Sequence, residues 1–111
     1  MEKTNYIPWS RLVYYVSSVY RVTGKFKPGI QHGLGERIRR TAVTISADVN
    51  GIGAGAAGTA EKSQLYLILS TLSVLETYLQ IAKQHKLLKD SRILDEELAE
   101  VREGILNVLI V

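Results

Sequence analysis

The chain contains no cysteine. That absence removes disulfides, thiol catalysis and thiolate metal sites together, and it suits a reducing cytoplasm. Histidine is nearly missing too. Neither His32 nor His85 has a glutamate three residues before it, so the Glu-x-x-His pattern of di-metal helical bundles is not present. Proline is confined to Pro8 and Pro28, both placed where a helix should start or be absent. The opening Met1-Glu2-Lys3-Thr4-Asn5 leads into Pro8 and Trp9 rather than into an apolar stretch, and no secretory signal is expected. The most apolar run, Leu65 to Leu75, is interrupted by Ser70, Thr71 and Ser73 and is too short to cross a bilayer. No internal repeat and no Pro-rich or Ser-rich linker is visible. Nor is any Ser/His/Asp or Cys/His arrangement readable, so no enzyme activity, metal or cofactor is expected.

What the chain has is apolar residues at helical spacing. Its 111 residues fit one domain, and 46% of them are hydrophobic, which argues against disorder. Two glycine patches, Gly24 to Gly35 and Gly51 to Gly58, divide it into four helical blocks at about 8–23, 34–52, 59–86 and 91–110. In the first block Trp9, Val13, Val16 and Tyr20 are spaced four, three and four apart, Leu12 and Val19 widen the stripe, and Gly24 is a natural stop. In the second, Leu34, Ile38, Ala42, Ile45, Val49 and Ile52 repeat at four and three. In the third, Leu65, Ile68, Leu72, Leu75, Leu79 and Ala82 make a heptad seam. In the fourth, Leu94, Leu98, Val101, Ile105 and Val108 repeat likewise, with Asp95, Glu96 and Glu97 near the positive end of the helix dipole. Four such helices with short connections predict an all-α, antiparallel up-down four-helix bundle.

The third block carries a second stripe. Leu67, Val74, Ile81 and Leu88 recur every seven residues, roughly 130° from the seam at about 100° per residue. One core cannot readily take both stripes, so this one reads as an interface with another copy of the chain. The competing reading is that the helix lies centrally and its own neighbours cover it.

Charge is mild overall, +3, but uneven. Residues 1–33 hold five basic side chains against one acidic, a net +4; residues 90–111 hold two against six, a net −4. This favours packing of the first segment near the last, or head-to-tail contact between subunits. Glu76, beside the seam, needs a partner, for which Arg37, Arg39 and Arg40 are candidates. Glu96, Glu100 and Glu103 share one helix face and read as solvated. Gly53-Ala54-Gly55-Ala56-Ala57-Gly58 matches GxGxxG in letters only, since a helix rather than a strand precedes it. It reads as an interhelical loop, with single-phosphate binding at the next helix start as a weaker option. The basic cluster Arg37, Arg39 and Arg40, preceded by Arg21, Lys25, Lys27 and His32, points to phosphate, because guanidinium matches it bidentately. Repeated around a ring of subunits, the cluster would form a sizeable positive surface. The alternative is that these arginines form salt bridges to the acidic fourth helix.

Arg37-Ile38-Arg39-Arg40-Thr41-Ala42-Val43-Thr44-Ile45-Ser46 resembles the second helix of the four-helix-bundle proteins encoded in 23S rRNA intervening sequences. Leu72-Ser73-Val74-Leu75-Glu76-Thr77-Tyr78-Leu79 resembles their third. Gly35-Glu36-Arg37-Ile38 is also similar to the related accessory variability proteins (Avd) of diversity-generating retroelements. The likeness runs from about Trp9 onward. It implies a homopentameric barrel and, for the retroelement branch, binding of RNA or DNA and of a reverse transcriptase, with Arg39 and Arg40 matching the family's arginine pair. The chain departs from that pattern in three places. It lacks the usual Pro near Ser46, has Asn50-Gly51-Ile52 where the family has Ala-Glu-Gly, and lacks the Gly-Gly-Trp ending of the retroelement branch. The function expected is that of a cytoplasmic, non-enzymatic, oligomeric nucleic-acid accessory protein. The alternative is a protein–protein adaptor without a nucleic-acid role.

Overall fold

The computed structural model describes residues 9–54, 59–89 and 91–110, and among these there are helices and no strands. Helix α1 spans Trp9–Thr23, a single turn α2 spans Pro28–Ile30, a π-helical turn covers Gln31–Gly35, and α3, α4 and α5 span Glu36–Ala54, Thr59–Gln84 and Arg92–Ile110. The long helices neighbour one another in the order α1, α3, α4, α5 and back to α1. The molecule is a rod of 44 × 20 × 20 Å. The 26 residues of α4 rise about 39 Å at about 1.5 Å each, so this helix runs most of the rod's length.

The seams of α3, α4 and α5 form the core as their periodicity predicts. Ile38, Ala42, Ile45, Val49 and Ile52 are buried on α3; Leu65, Ile68, Leu72, Leu75, Leu79 and Ala82 on α4; Leu94, Leu98, Val101 and Ile105 on α5. Leu34 and Val108 are partly covered at the edges. Fully burying a Leu or Ile side chain contributes about 1.5–3 kcal/mol, and these stripes hold most of the fold's apolar burial.

The first helix is rotated from its expected phase. Leu12 and Val19, the margin of the expected stripe, are buried together with Tyr15, whereas Trp9, Val13 and Tyr20 from its centre are 48%, 41% and 46% exposed. The expected face centres roughly 90° from the real one at about 100° per residue. Tyr15 carries the true face. Its ring is apolar enough for the core, but its spacing from Leu12 and Val19 competes with the larger stripe of Trp9, Val13, Val16 and Tyr20.

The first glycine patch ends α1 at Thr23, before Gly24 as expected, but does not keep the chain out of helix as far as Gly35. Pro28 opens α2 at its first turn, where its missing N–H costs nothing. Helical backbone then continues through Gly29, Gly33 and Gly35 into α3. Burying Ile30 and Leu34 against the core outweighs a propensity cost of about 1 kcal/mol per helical glycine. Gly35 has a packing reason, since a Cβ there would lie 3.3 Å from the Phe26 ring. The second patch is helical as far as Ala54, so Gly51, Gly53 and Ala54 belong to α3 and not to the expected loop; the rest of the GxGxxG stretch, 55–58, lies outside the described residues.

Helix α4 stops at Gln84, two residues short of the expected end. Leu87 N–H donates to Ala82 C=O and Lys86 N–H to Lys83 C=O, both at 2.9 Å, and Lys86 has φ 59°. That pair of bonds around a left-handed residue is a Schellman stop. It turns the chain so that Leu88, 7% exposed, packs into the core. Leu88 therefore does not belong to the outer stripe, because the helix that carries the seven-residue repeat has already ended. By length and a mean hydropathy of 1.4, Lys62–Gln84 falls within the range of a membrane-crossing helix. That stretch is longer than the Leu65–Leu75 run singled out in the sequence. Here its main stripe forms the bundle core.

Candidate nucleic-acid interface

The end of α1 and the start of α3 are tied together by side chains. Arg39 Nε donates to Thr23 Oγ1 at 2.6 Å, and Arg39 Nη2 donates to the Tyr20 carbonyl at 3.0 Å. Its guanidinium also lies over the Tyr20 ring, 4.5 Å from the centroid, a favourable cation–π placement. Gln31 Nε2 donates to the Thr23 carbonyl at 3.1 Å. The Tyr20 and Thr23 carbonyls already accept Gly24 N–H and Phe26 N–H, and the Arg39 and Gln31 side chains add a second donor to each. Gly24 leaves room for this contact, since a Cβ there would lie 3.1 Å from the Tyr20 carbonyl and 3.5 Å from Arg39 Nη2.

Of the six basic residues expected to contact nucleic acid, five are exposed around this junction: Arg21, Lys25, Lys27, Arg37 and Arg40. Arg39 is the exception. Two of its three guanidinium nitrogens are engaged on α1, so it is a structural tie rather than a free phosphate ligand. Arg40 has only a loose 4.0 Å pair with Glu36, with both side chains more than half exposed; such a pair is worth little. Arg21 makes a long 3.4 Å contact to Ser18 Oγ. Lys25, Lys27 and Arg37 have no carboxylate partner among the described residues.

The expected salt bridges from this cluster to the acidic last helix do not form. Helix α3 stands diagonally opposite α5, with α1 and α4 between them. The α5 carboxylates pair elsewhere: Glu100 with Arg11 at 2.6 Å and Asp95 with Lys83 at 3.1 Å. The first contact does bring the first segment beside the last, as the charge asymmetry suggests. Glu76 finds its partner on α5 rather than among Arg37, Arg39 and Arg40. Arg102 Nη2 reaches Glu76 Oε1 at 2.6 Å and Ser73 Oγ at 3.2 Å. Glu76 turns towards α5, on the side of α4 away from α3.

The far end of α4 adds further cations. The ends of α3 and α4 joined by residues 55–58 lie together, and Asp48 and Gly51 border Gln64 and Leu67. The other end of α4, with exposed Lys83, Lys86 and Lys89, therefore lies towards the same end of the rod as Arg37 and Arg40. Lys86 and Lys89 have no carboxylate partner among the described residues. The acidic start of α5 also lies at this end, with Asp95 paired to Lys83.

The outer stripe of α4 keeps three of its four members: Leu67, Val74 and Ile81 are 60%, 46% and 40% exposed. They lie on the α3 side of the helix. Ala47 on α3 borders both the hollow reaching Leu67 and a second, apolar groove of about 290 Å³ lined by Trp9, Val13, Val16 and Val43. Among the described residues no group of three or more His, Cys, Asp or Glu could hold a metal ion. Comparison of the chain with protein-family models, with curated proteins and with solved structures gives no match.

Proposed function

We propose that this chain is a non-enzymatic, cytoplasmic accessory protein that binds RNA or DNA through one basic end of an up-and-down four-helix bundle. The observation carrying this reading is the gathering of Arg21, Lys25, Lys27, Arg37 and Arg40 around the α1–α3 junction, with Lys86 and Lys89 towards the same end; among the described residues only Arg40 of these seven pairs with a carboxylate, loosely, although Asp95 at the start of α5 lies at that end beside Lys83. Phosphate contacts by such side chains release counterions, so binding should fall steeply with salt. The resemblance to the rRNA intervening-sequence and accessory variability proteins supports the same reading. It adds a homopentameric ring and, in the retroelement branch, a reverse transcriptase as partner.

The test is nucleic-acid binding measured against salt for wild type and Arg37→Ala/Arg40→Ala. The double substitution should weaken binding to all sequences alike and lower the salt slope by about two, one for each phosphate that is no longer neutralised. No binding by the wild type at low salt, or an unchanged slope, refutes the reading.

Self-association belongs to the same proposal. Leu67, Val74 and Ile81, with the groove at Trp9 and Val13, offer apolar surface that another copy would cover. Light scattering should show an oligomer that Val74→Asp dissociates. A monomeric wild type rules this out and favours the second reading, in which the same groove receives a different protein and the chain acts as an adaptor.

A further inference from the structure

The π-helical turn at Gln31–Gly35 is the one irregularity in a helical path running from Pro28 to Ala54, and it has a geometric consequence. In an uninterrupted α-helix, Gln31 and Arg39 would point about 80° apart, eight residues at about 100° each. A π turn takes up one extra residue and brings them to within roughly 20° of each other. Both then reach α1, where Gln31 holds the Thr23 carbonyl and Arg39 holds Thr23 Oγ1 and the Tyr20 carbonyl. Neither Gly33 nor Gly29 has any atom within 4 Å of where a Cβ would stand. The same rotation that aligns the two donors also brings Ile30, packed against the core, round to the side of Ile38.

The clamp lies between two groups of cations. Arg21, Lys25 and Lys27 belong to the end of α1 and the turn that follows; Arg37 and Arg40 belong to the start of α3. Lys25 and Lys27 sit on a short connection held by single-turn backbone bonds, Lys25 N–H to Val22 C=O and Phe26 N–H to Thr23 C=O. We propose that Gln31 and Arg39 are positioning residues, brought together by the π turn, that fix the register of these two groups so that they engage one phosphate backbone as a unit. The inference rests on the nucleic-acid reading and deepens it. It also reassigns Arg39, whose charge matters less than its two-pronged grip on α1.

The experiment compares Gln31→Ala, Arg39→Lys and deletion of Gly33 with wild type, with Arg40→Lys and with Arg39→Ala. Gln31→Ala removes no charge, and Arg39→Lys keeps the charge but loses the fork. Deleting Gly33 restores a regular helix and turns Gln31 away from Thr23. Each variant is measured for thermal unfolding, for amide exchange across residues 25–35, and for binding to RNA and DNA against salt. The first three, the clamp variants, should stay folded, exchange faster at 25–35, and bind about fivefold more weakly, the factor one hydrogen bond is worth. Their salt slopes should be unchanged, and Arg40→Lys should bind as wild type. Faster exchange with binding within twofold of wild type overturns the inference and leaves the nucleic-acid reading standing. A slope lowered by about one in Arg39→Ala, with Gln31→Ala silent, makes Arg39 a phosphate ligand and also overturns it. A wild type that binds neither RNA nor DNA overturns both.

Discussion

Replacing Lys86 with glycine should leave the protein more stable than replacing it with alanine does, and should weaken nucleic-acid binding. Lys86 is the left-handed residue of the Schellman stop after α4, at φ 59°. An L-residue there costs roughly 1–2 kcal/mol through contact of its Cβ with the following carbonyl. Glycine removes that cost but gains freedom in the unfolded chain, which offsets about 0.4–1 kcal/mol. The backbone part of the change is therefore a gain of about 0.5–1 kcal/mol, worth about 2–6 °C in melting temperature for a domain this small. Lysine also interacts favourably with the helix's negative end, by about 0.3–1 kcal/mol, and glycine forgoes that interaction. Lys86→Ala is therefore the control. Alanine removes the charge as glycine does but keeps the Cβ, so the difference between the two variants isolates the backbone. Thermal and urea unfolding of the three proteins should rank glycine above alanine by about 1 kcal/mol. A glycine variant no more stable than the alanine variant refutes the argument. Strained residues persist where function holds them, and Lys86 is an exposed cation towards the basic end of the rod. Both substitutions should therefore weaken nucleic-acid binding by one phosphate contact, lowering the salt slope by about one. Unchanged binding would leave the strained lysine without a functional reason.

Tyr15 offers a test inside the core. Its hydroxyl is buried with no hydrogen-bond partner among the described residues, and leaving such a group unpaired costs about 1–3 kcal/mol. Tyr15→Phe should raise stability by about 1 kcal/mol in urea unfolding; a drop in stability would show that the hydroxyl has a partner. Burial, reinforced by the charges of Asp95, Glu97 and Glu76, holds this hydroxyl above the usual tyrosine range. The folded state thus keeps a proton that the unfolded state releases, and stability should fall as pH rises above about 10. Phenolate absorbance should show Tyr15 ionising only as the fold is lost, and Tyr15→Phe should flatten the alkaline decline. For the Glu76–Arg102 pair, Arg102→Ala should destabilise by about 0.5–1 kcal/mol, kept small because both side chains are about one-third exposed and solvent screens them. The effect should shrink in high salt, and a larger, salt-insensitive destabilisation would point to packing by the arginine stem instead.

How much of the fold can be read from the sequence depends on how each helix announces its buried face. On α3, α4 and α5 that face is made of Leu, Ile, Val and Ala, with Ser46 of α3 the one buried polar residue on these helices among the described residues, so apolar spacing finds it. On α1 it runs through Tyr15, Ser18 and Thr23, while Trp9, Val13 and Tyr20, more apolar by count, lie outside it, and Trp9 and Val13 line an open groove. The helical path through Gly29, Gly33 and Gly35 is hidden because glycine marks a break in local propensity, and only tertiary burial of Ile30 and Leu34 overrides it. Leu88 is misplaced by the same kind of error in reverse, because periodicity does not register that Lys86 ends the helix without a glycine to announce it. The partner of Glu76 is not legible either. Choosing between Arg102 and the α3 arginines requires knowing that α4 turns its Glu76 side to α5, and that follows from packing order rather than from spacing.

The basic cluster is where these two kinds of information separate. A run of Arg37, Arg39 and Arg40 shows that positive charge is concentrated, and composition can say no more. The backbone sorts the run. Successive helical residues point about 100° apart, so Arg37 and Arg40, three apart, can share an outward side while Arg39 turns in towards α1. A single local motif therefore divides into side chains free to meet a phosphate and one that joins two helices. The same geometry predicts that charge-conserving substitutions will discriminate between these roles where alanine substitutions cannot. Lysine can replace an arginine that acts as a point charge, but it cannot replace the planar fork that holds Thr23 and Tyr20 together.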